Sequence, residues 1–208
     1  MSATDRQAHW QNVYTSKGEN EVSWFQDRPA ISLEFIAAAK VRPDAAIIDI
    51  GGGASRLVDA LLDDGYSNLA VLDLSEAALA SSRARIGPRA EAVKWMAADV
   101  TTWQPSGQYD VWHDRAAFHF LTEETDRQAY VSRLKTALRD GGQAIIGTFA
   151  LDGPERCSGL PVTRYDAASL AAALGPRFRL LANRVEEHRT PWDAPQLFQF
   201  SRFSFTRA

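Results

Sequence analysis

Three aspartates stand at or near the ends of short apolar runs, and their spacing is the first sign of chemistry in this chain. Asp49 lies in Ala45-Ala-Ile-Ile-Asp-Ile just ahead of Gly51-Gly52-Gly53, Asp73 ends Asn68-Leu-Ala-Val-Leu-Asp, and Asp99 ends Val93-Lys-Trp-Met-Ala-Ala-Asp. Glycines in that position permit a tight turn whose backbone comes close to a ligand. Asp73 falls about twenty residues beyond them, where an acid at the end of the second strand of an open α/β sheet can accept both ribose hydroxyls of a nucleoside. The competing reading is that Asp73 caps the helix opening at Ser75. A dinucleotide fingerprint requires a third glycine where Arg56 stands, so NAD is disfavoured. A second cluster, His113, Asp114, Arg115 and His119, follows the apolar stretch beginning at Tyr109; Asp114 and Arg115 either pair with each other or face a ligand.

Alternating strands and helices are needed to position these groups. Ile47, Ile48 and Ile50 suit a strand buried on both faces. Ser55 reads as an N-cap, with Leu57, Val58, Leu61 and Leu62 at helical spacing until Gly65. Strands are expected over 68–75, 93–100, 109–115 and 143–149, and helices over 30–40, 76–86 and 123–138. The remainder reads as a short helix over 166–174 and strands over 178–187 and 196–205. The connection from His188 to Pro195 is short enough for a hairpin, which makes the last strand antiparallel to its neighbour. The expected fold is α/β: a Rossmann-like, doubly wound, seven-stranded sheet, mostly parallel with the last strand antiparallel, and helices on both faces.

The pattern Asp49-x-Gly51-x-Gly53, the acids Asp73 and Asp99 on the next two strands and the terminal hairpin resemble the class I S-adenosylmethionine (SAM) methyltransferases. The phrase Leu138-Arg-Asp-Gly-Gly before a strand is common to both. The resemblance spans nearly the whole chain and implies a single methyltransferase domain over 1–208 with SAM as cofactor. It implies that Asp49 orders Gly51, Gly52, Gly53 and Ser55 around the amino acid end of SAM, and that Asp73 with Leu74 holds the ribose. Asp99 with Val100 would receive adenine, with Met96 as an apolar wall, and His113 would lie beside the cofactor. Asp114, Arg115 and His119 would lie between SAM and substrate as the candidate catalytic contacts. Residues 1–29 would form an aromatic cap, with Tyr14 and Trp24 over the methionine moiety; the alternative is that these rings only pack on the sheet edge. The chain is also similar to small methyltransferases that modify protein lysines, which share the N-terminal Trp and Tyr segment. A noncatalytic SAM-binding protein is the reading from another class.

Composition bounds the rest. At 208 residues with 45% hydrophobic content, one domain with a sizeable core is expected. A net charge of −3 gives no general reason to expect nucleic acid or an anionic membrane. There is no apolar run of membrane length and no secretory leader, so a cytoplasmic enzyme is expected. Cys157, the single cysteine, rules out an intramolecular disulfide and a cysteine-based zinc cluster, and no metal site is expected; it reads as an incidental thiol. Methyl transfer requires alignment of donor and acceptor more than a fixed catalytic signature. The loops after the strands carry Arg115, Arg156, Arg164, His188 and Arg189 against Asp114, Asp152, Glu155 and Asp193. That balance suggests a small acceptor that is anionic or becomes so, such as a thiol or carboxylate, unless these are ordinary charged surface loops.

Overall fold

The computed structural model describes residues 3–207; residues 1 and 2 of the expected cap, and residue 208, lie outside it. The elements run α1 (Ala3–Ser16), α2 (Ala30–Ala38), β1 (Ala46–Ile50), α3 (Leu57–Asp63), β2 (Asn68–Asp73), α4 (Glu76–Ile86), β3 (Val93–Ala97) and β4 (Tyr109–Arg115). They continue with α5 (Glu124–Ala137), β5 (Leu138–Phe149), a two-stranded ribbon of β6 (Arg156–Cys157) and β7 (Leu160–Pro161), α6 (Ala167–Leu174), β8 (Phe178–Arg189) and β9 (Pro195–Phe205). The main sheet has the order β3-β2-β1-β4-β5-β9-β8. β1 to β5 pair in parallel, and β9 is antiparallel to both β5 and β8. This is the expected seven-stranded sheet with its last strand reversed.

Side chains alternate across the pleat, so one strand feeds two cores. Ile48 and Ile50 join the core that buries Tyr130, Val131 and Leu134 of α5 and Leu170 and Leu174 of α6. Ile47 joins the opposite one, with Ile36 of α2, Leu57 and Leu61 of α3 and Leu79 of α4. The helices therefore cover both faces, and β1 is buried along its whole length.

Some boundaries differ from the sequence expectation, each for a local reason. β3 stops at Ala97, leaving Asp99 and Val100 on the loop beyond it; Thr102 and Trp103 donate amides back to the Asp99 carbonyl. β5 starts at Leu138 rather than Gln143, because Leu138 pairs with Tyr109 and the register then shifts before Val111 meets Gln143. The Arg139 to Gly142 stretch, which the sequence places ahead of the strand, is this irregular strand entry, with Gly141 at φ +75°. α3 starts at Leu57, yet Ser55 still serves its start, since its Oγ accepts from the Leu57 amide at 3.1 Å.

Candidate functional site

The parallel strands β1 to β4 end on the same side of the sheet, and the chain leaving each one borders a single cavity of about 770 Å³, counted with its open mouth. Gly51 follows β1, Asp73 and Leu74 close β2, Ala98 to Val100 follow β3, and Arg115 to Ala117 follow β4. Such a crevice at the carboxyl ends of the strands, where the strand order reverses at β1, is where open α/β sheets bind ligands. Gly51 has φ +68°, and an added Cβ would meet the Ala117 Cβ at 2.9 Å. At Gly53 a Cβ would stand 2.5 Å from Asp73 Oδ2 and 2.8 Å from the Ala78 Cβ. The turn is thus packed against the second strand's acid with no room for a side chain.

Asp73 is buried, and its Oδ1 accepts from the Ser75 amide at 2.8 Å while the carboxylate borders the cavity. One oxygen therefore braces the start of α4, where Ser75 Oγ caps Ala78 N, and the residue also lines the cavity. Burial pushes this carboxyl up to about 6 despite amide hydrogen bonds from Ser75 and Gly53. Burial acts upward on Asp99 too, but hydrogen bonds from Thr101 and Arg6 outweigh it and hold the group below the ordinary range. Its Oδ1 accepts from Thr101 N at 2.8 Å and Thr101 Oγ1 at 2.7 Å, and Oδ2 accepts from Arg6 Nη2 at 2.9 Å. A carboxylate offers about four acceptor sites, so one remains.

Arg6 is a site residue that sequence reasoning did not find. It lies on α1, borders the cavity, and bridges Asp99 to Asp126 of α5, the latter at 2.6 Å. α1 is pinned a second time where Gln11 Oε1 accepts from Ser75 Oγ at 3.1 Å and Ala77 N at 3.2 Å. The helix thus roofs the strand ends and presents Trp10 and Tyr14 to the cavity beside Trp24 and Phe120. Trp10 packs edge-on against Phe120 and Trp24 with centroids 4.9 and 5.7 Å apart, and Trp24 Nε1 donates to the Tyr14 hydroxyl at 3.2 Å. Trp24 is fixed from behind: Arg115 Nη1 donates to its carbonyl at 2.7 Å, and His188 Nε2 donates to the Ser23 carbonyl at 2.7 Å. Cys157, expected to be incidental, also lines the cavity, and burial raises its thiol to about 11.

Other expected site residues are placed elsewhere. Asp114 alternates to the α5 side of β4, where it accepts from the Tyr130 hydroxyl at 2.6 Å and from the amides of Ala117 and Phe118, fully buried and pushed by desolvation up to about 6. It shapes the turn after β4 and does not border the cavity. His119 is likewise sealed; its Nδ1 accepts from the Phe149 amide at 3.2 Å, and burial lowers it to about 3, so it stays neutral. Asp49 and His113 form a buried relay under the glycine turn, with His113 Nδ1 at 2.7 Å from Asp49 Oδ1 and Nε2 at 2.8 Å from Ser32 Oγ. They, with Gly52, Gly53 and Ser55, support the cavity wall without lining it; Gly51, Leu74 and Val100 do line it. The basic loop residues Arg156, Arg164 and Arg189 are spent on neighbours: the Gly159 carbonyl, Glu155 at 3.1 Å and Glu187 at 2.8 Å. Their number thus says nothing about an acceptor.

Residues 47–142 match the family model of a methyltransferase domain. Among curated proteins, the chain is 26% identical over 119 residues to the eEF1A lysine and N-terminal methyltransferase of Danio rerio, covering 57% of this chain and 17% of that protein. It is 32% identical over 108 residues to the malonyl-[acyl-carrier protein] O-methyltransferase of Paenibacillus sp. (strain JDR-2), covering 50% of this chain and 38% of that protein. The chain therefore spans well under half the length of these curated relatives. Among solved structures, the 1,6-didemethyltoxoflavin-N1-methyltransferase of Burkholderia thailandensis, determined with 1,6-didemethyltoxoflavin and S-adenosylhomocysteine, superposes with a TM-score of 0.70 at 19% identity, over 100% of this chain and 92% of that one. The matched segment thus resembles a methyltransferase domain, and the chain shares its fold with that solved methyltransferase.

Proposed function

We propose that the chain is a SAM-dependent methyltransferase acting on a small acceptor that enters beside Trp10, Trp24 and Phe120. The observation that carries this reading is the single cavity in which the Asp73 and Asp99 carboxylates, the tight turn at Gly51 and the aromatic roof of α1 meet. The turn at Gly51, whose residue lines the cavity at φ +68°, fits a cofactor held close to backbone. Asp73 would accept from the ribose hydroxyls, the remaining acceptor site of Asp99 would take the adenine amino group, and Leu74 and Val100 would flank the base. SAM, when bound, supplies a methyl group on a sulfonium sulfur. The chain's own part is to align the acceptor and exclude water, which the roof of Trp10, Tyr14 and Trp24 accomplishes. At the β4 end of the cavity, Tyr14 and Cys157 are both raised by burial and keep their protons at neutral pH. Neither serves there as a general base, so the acceptor arrives already nucleophilic or loses its proton to solvent.

A second reading, methylation of a protein amine, is favoured by the similarity to the eEF1A lysine and N-terminal methyltransferase. One experiment separates the two. The protein is loaded with methyl-labelled SAM and offered a panel of small thiols, amines, carboxylic acids and phenols, and in parallel a protein extract. Label in small products alone supports the first reading, and label in protein alone overturns it. S-adenosylhomocysteine should raise Tm while NAD does not, and equal stabilisation by both would sink the cofactor assignment.

A further inference from the structure

Arg115 is built into the protein in a way that its position alone does not require. It closes β4 on the strand next to β1, and among the described residues only Nη1 has a hydrogen-bond partner, the Trp24 carbonyl at 2.7 Å. Nε and Nη2 are sealed from solvent and make no hydrogen bond. Those two nitrogens form one edge of the planar guanidinium, the side-on fork that grips a carboxylate through two parallel hydrogen bonds. The group stacks on the Phe198 ring with its central carbon 4.8 Å from the centroid, which holds the plane in place. Glu186 is near enough to interact electrostatically but forms neither an ion pair nor a hydrogen bond with Arg115. A desolvated cation with one whole edge open is costly unless a ligand completes it. Burial lowers its pKa only to about 10, so it remains charged at neutral pH.

Arg115 also joins two spaces. It borders the main cavity and a smaller pocket lined by Ala54, Ser55 and Arg56 after the glycine turn. Trp24 is common to both. Arg56 brings a second guanidinium to that pocket, its Nη groups on Glu19 and Asp27 and its Nε buried without a partner. A ligand lying from Asp99 across Asp73 and past Gly51 reaches Arg115 next.

We infer that the open Nε and Nη2 edge of Arg115 holds a carboxylate, and that its first source is the amino acid end of the cofactor, a role distinct from contact with the reacting acceptor. This rests on the SAM reading above. The test compares SAM with decarboxylated SAM, which lacks only the carboxylate, by calorimetry without any acceptor. The wild-type protein should prefer SAM by about tenfold or more, the scale of charge-assisted hydrogen bonds. Arg115→Gln should remove most of that preference by weakening SAM alone, leaving decarboxylated SAM within about threefold. Arg115→Lys, which keeps the charge but not the fork, should recover only part of it. If instead the preference persists in Arg115→Gln, the second source is tested on the protein saturated with S-adenosylhomocysteine, using benzoate and the quenching of Trp24 fluorescence. Benzoate binding lost in Arg115→Gln assigns the fork to the acceptor's carboxylate. The inference is overturned if neither ligand discriminates wild type from variant, or if the variant loses SAM and decarboxylated SAM equally. Failure of wild-type protein to bind either cofactor form sinks the SAM reading instead.

Discussion

Asp73 holds a helix start and faces ligand space with the same carboxylate, and the two roles conflict when the site is empty. The folded protein binds the Asp73 proton more tightly than the unfolded chain, since its pKa is raised from 3.8 to about 6. Between those values the folded state carries more protons, so its stability from this group falls as pH rises through about 4 to 6 and stays reduced at neutral pH. The shift corresponds to about 3 kcal/mol. Asp73→Asn should therefore raise the Tm of the ligand-free protein at pH 7, with the gain shrinking toward pH 4, while weakening S-adenosylhomocysteine by about 1 to 3 kcal/mol. Thermal scans across pH check the first part and calorimetry the second; a variant of unchanged Tm at pH 7 would mean that the carboxylate is not strained. His119 gives the opposite pattern. His119→Ala strands the Phe149 amide and leaves a hole, and it should cost about 2 to 4 kcal/mol of stability without altering cofactor affinity. Urea unfolding measures that loss, and reduced affinity in a variant of intact stability would return His119 to the site.

Elements decided which parts of the site were legible. The acids after β2 and β3 were readable because an apolar run that ends in a carboxylate leaves few other roles for it. Asp114 and Arg115 were not separable in sequence, because adjacent strand residues point to opposite faces and nothing local says which face carries the ligand. The structure turns Asp114 toward Tyr130 and leaves Arg115 beside Trp24. Arg6 was invisible for another reason: its helix is polar, and its partners Asp99 and Asp126 lie 93 and 120 residues away. That helix makes a prediction of its own. Arg6→Ala removes an ion-paired brace whose side chain is 11% exposed, and breaking it should cost about 1 to 3 kcal/mol of stability. Because α1 carries Trp10 and Tyr14, S-adenosylhomocysteine should bind more weakly to the variant as the roof loosens. Tighter binding would show instead that Arg6 competes with adenine for Asp99.

At the scale of the whole molecule, the sheet order gathers four strand ends on one side, and the far hairpin closes that side from behind. β8 brings His188 to the Ser23 carbonyl while Arg115 holds the next carbonyl, so the chain bearing Trp24 is clamped between the first strands and the last. The outcome is a largely apolar cavity in which Tyr14 and Cys157 keep their protons. On the proposed function, the ionisation that controls methyl transfer in such a site belongs to the acceptor. For two acceptors of one chemical class with different pKa values, kcat/KM should rise with pH through an inflection that moves with the acceptor. Below about pH 6 a separate fall is expected as Asp73 gains its proton and loses the cofactor contact proposed for it. That acid limb should be common to both acceptors and absent in Asp73→Asn. Rate profiles at subsaturating acceptor, collected for both compounds, decide the matter. If the alkaline inflection stays at one pH whichever acceptor is used, a side chain of the protein is acting as the base, and Tyr14→Phe and Cys157→Ser then become the variants that identify it.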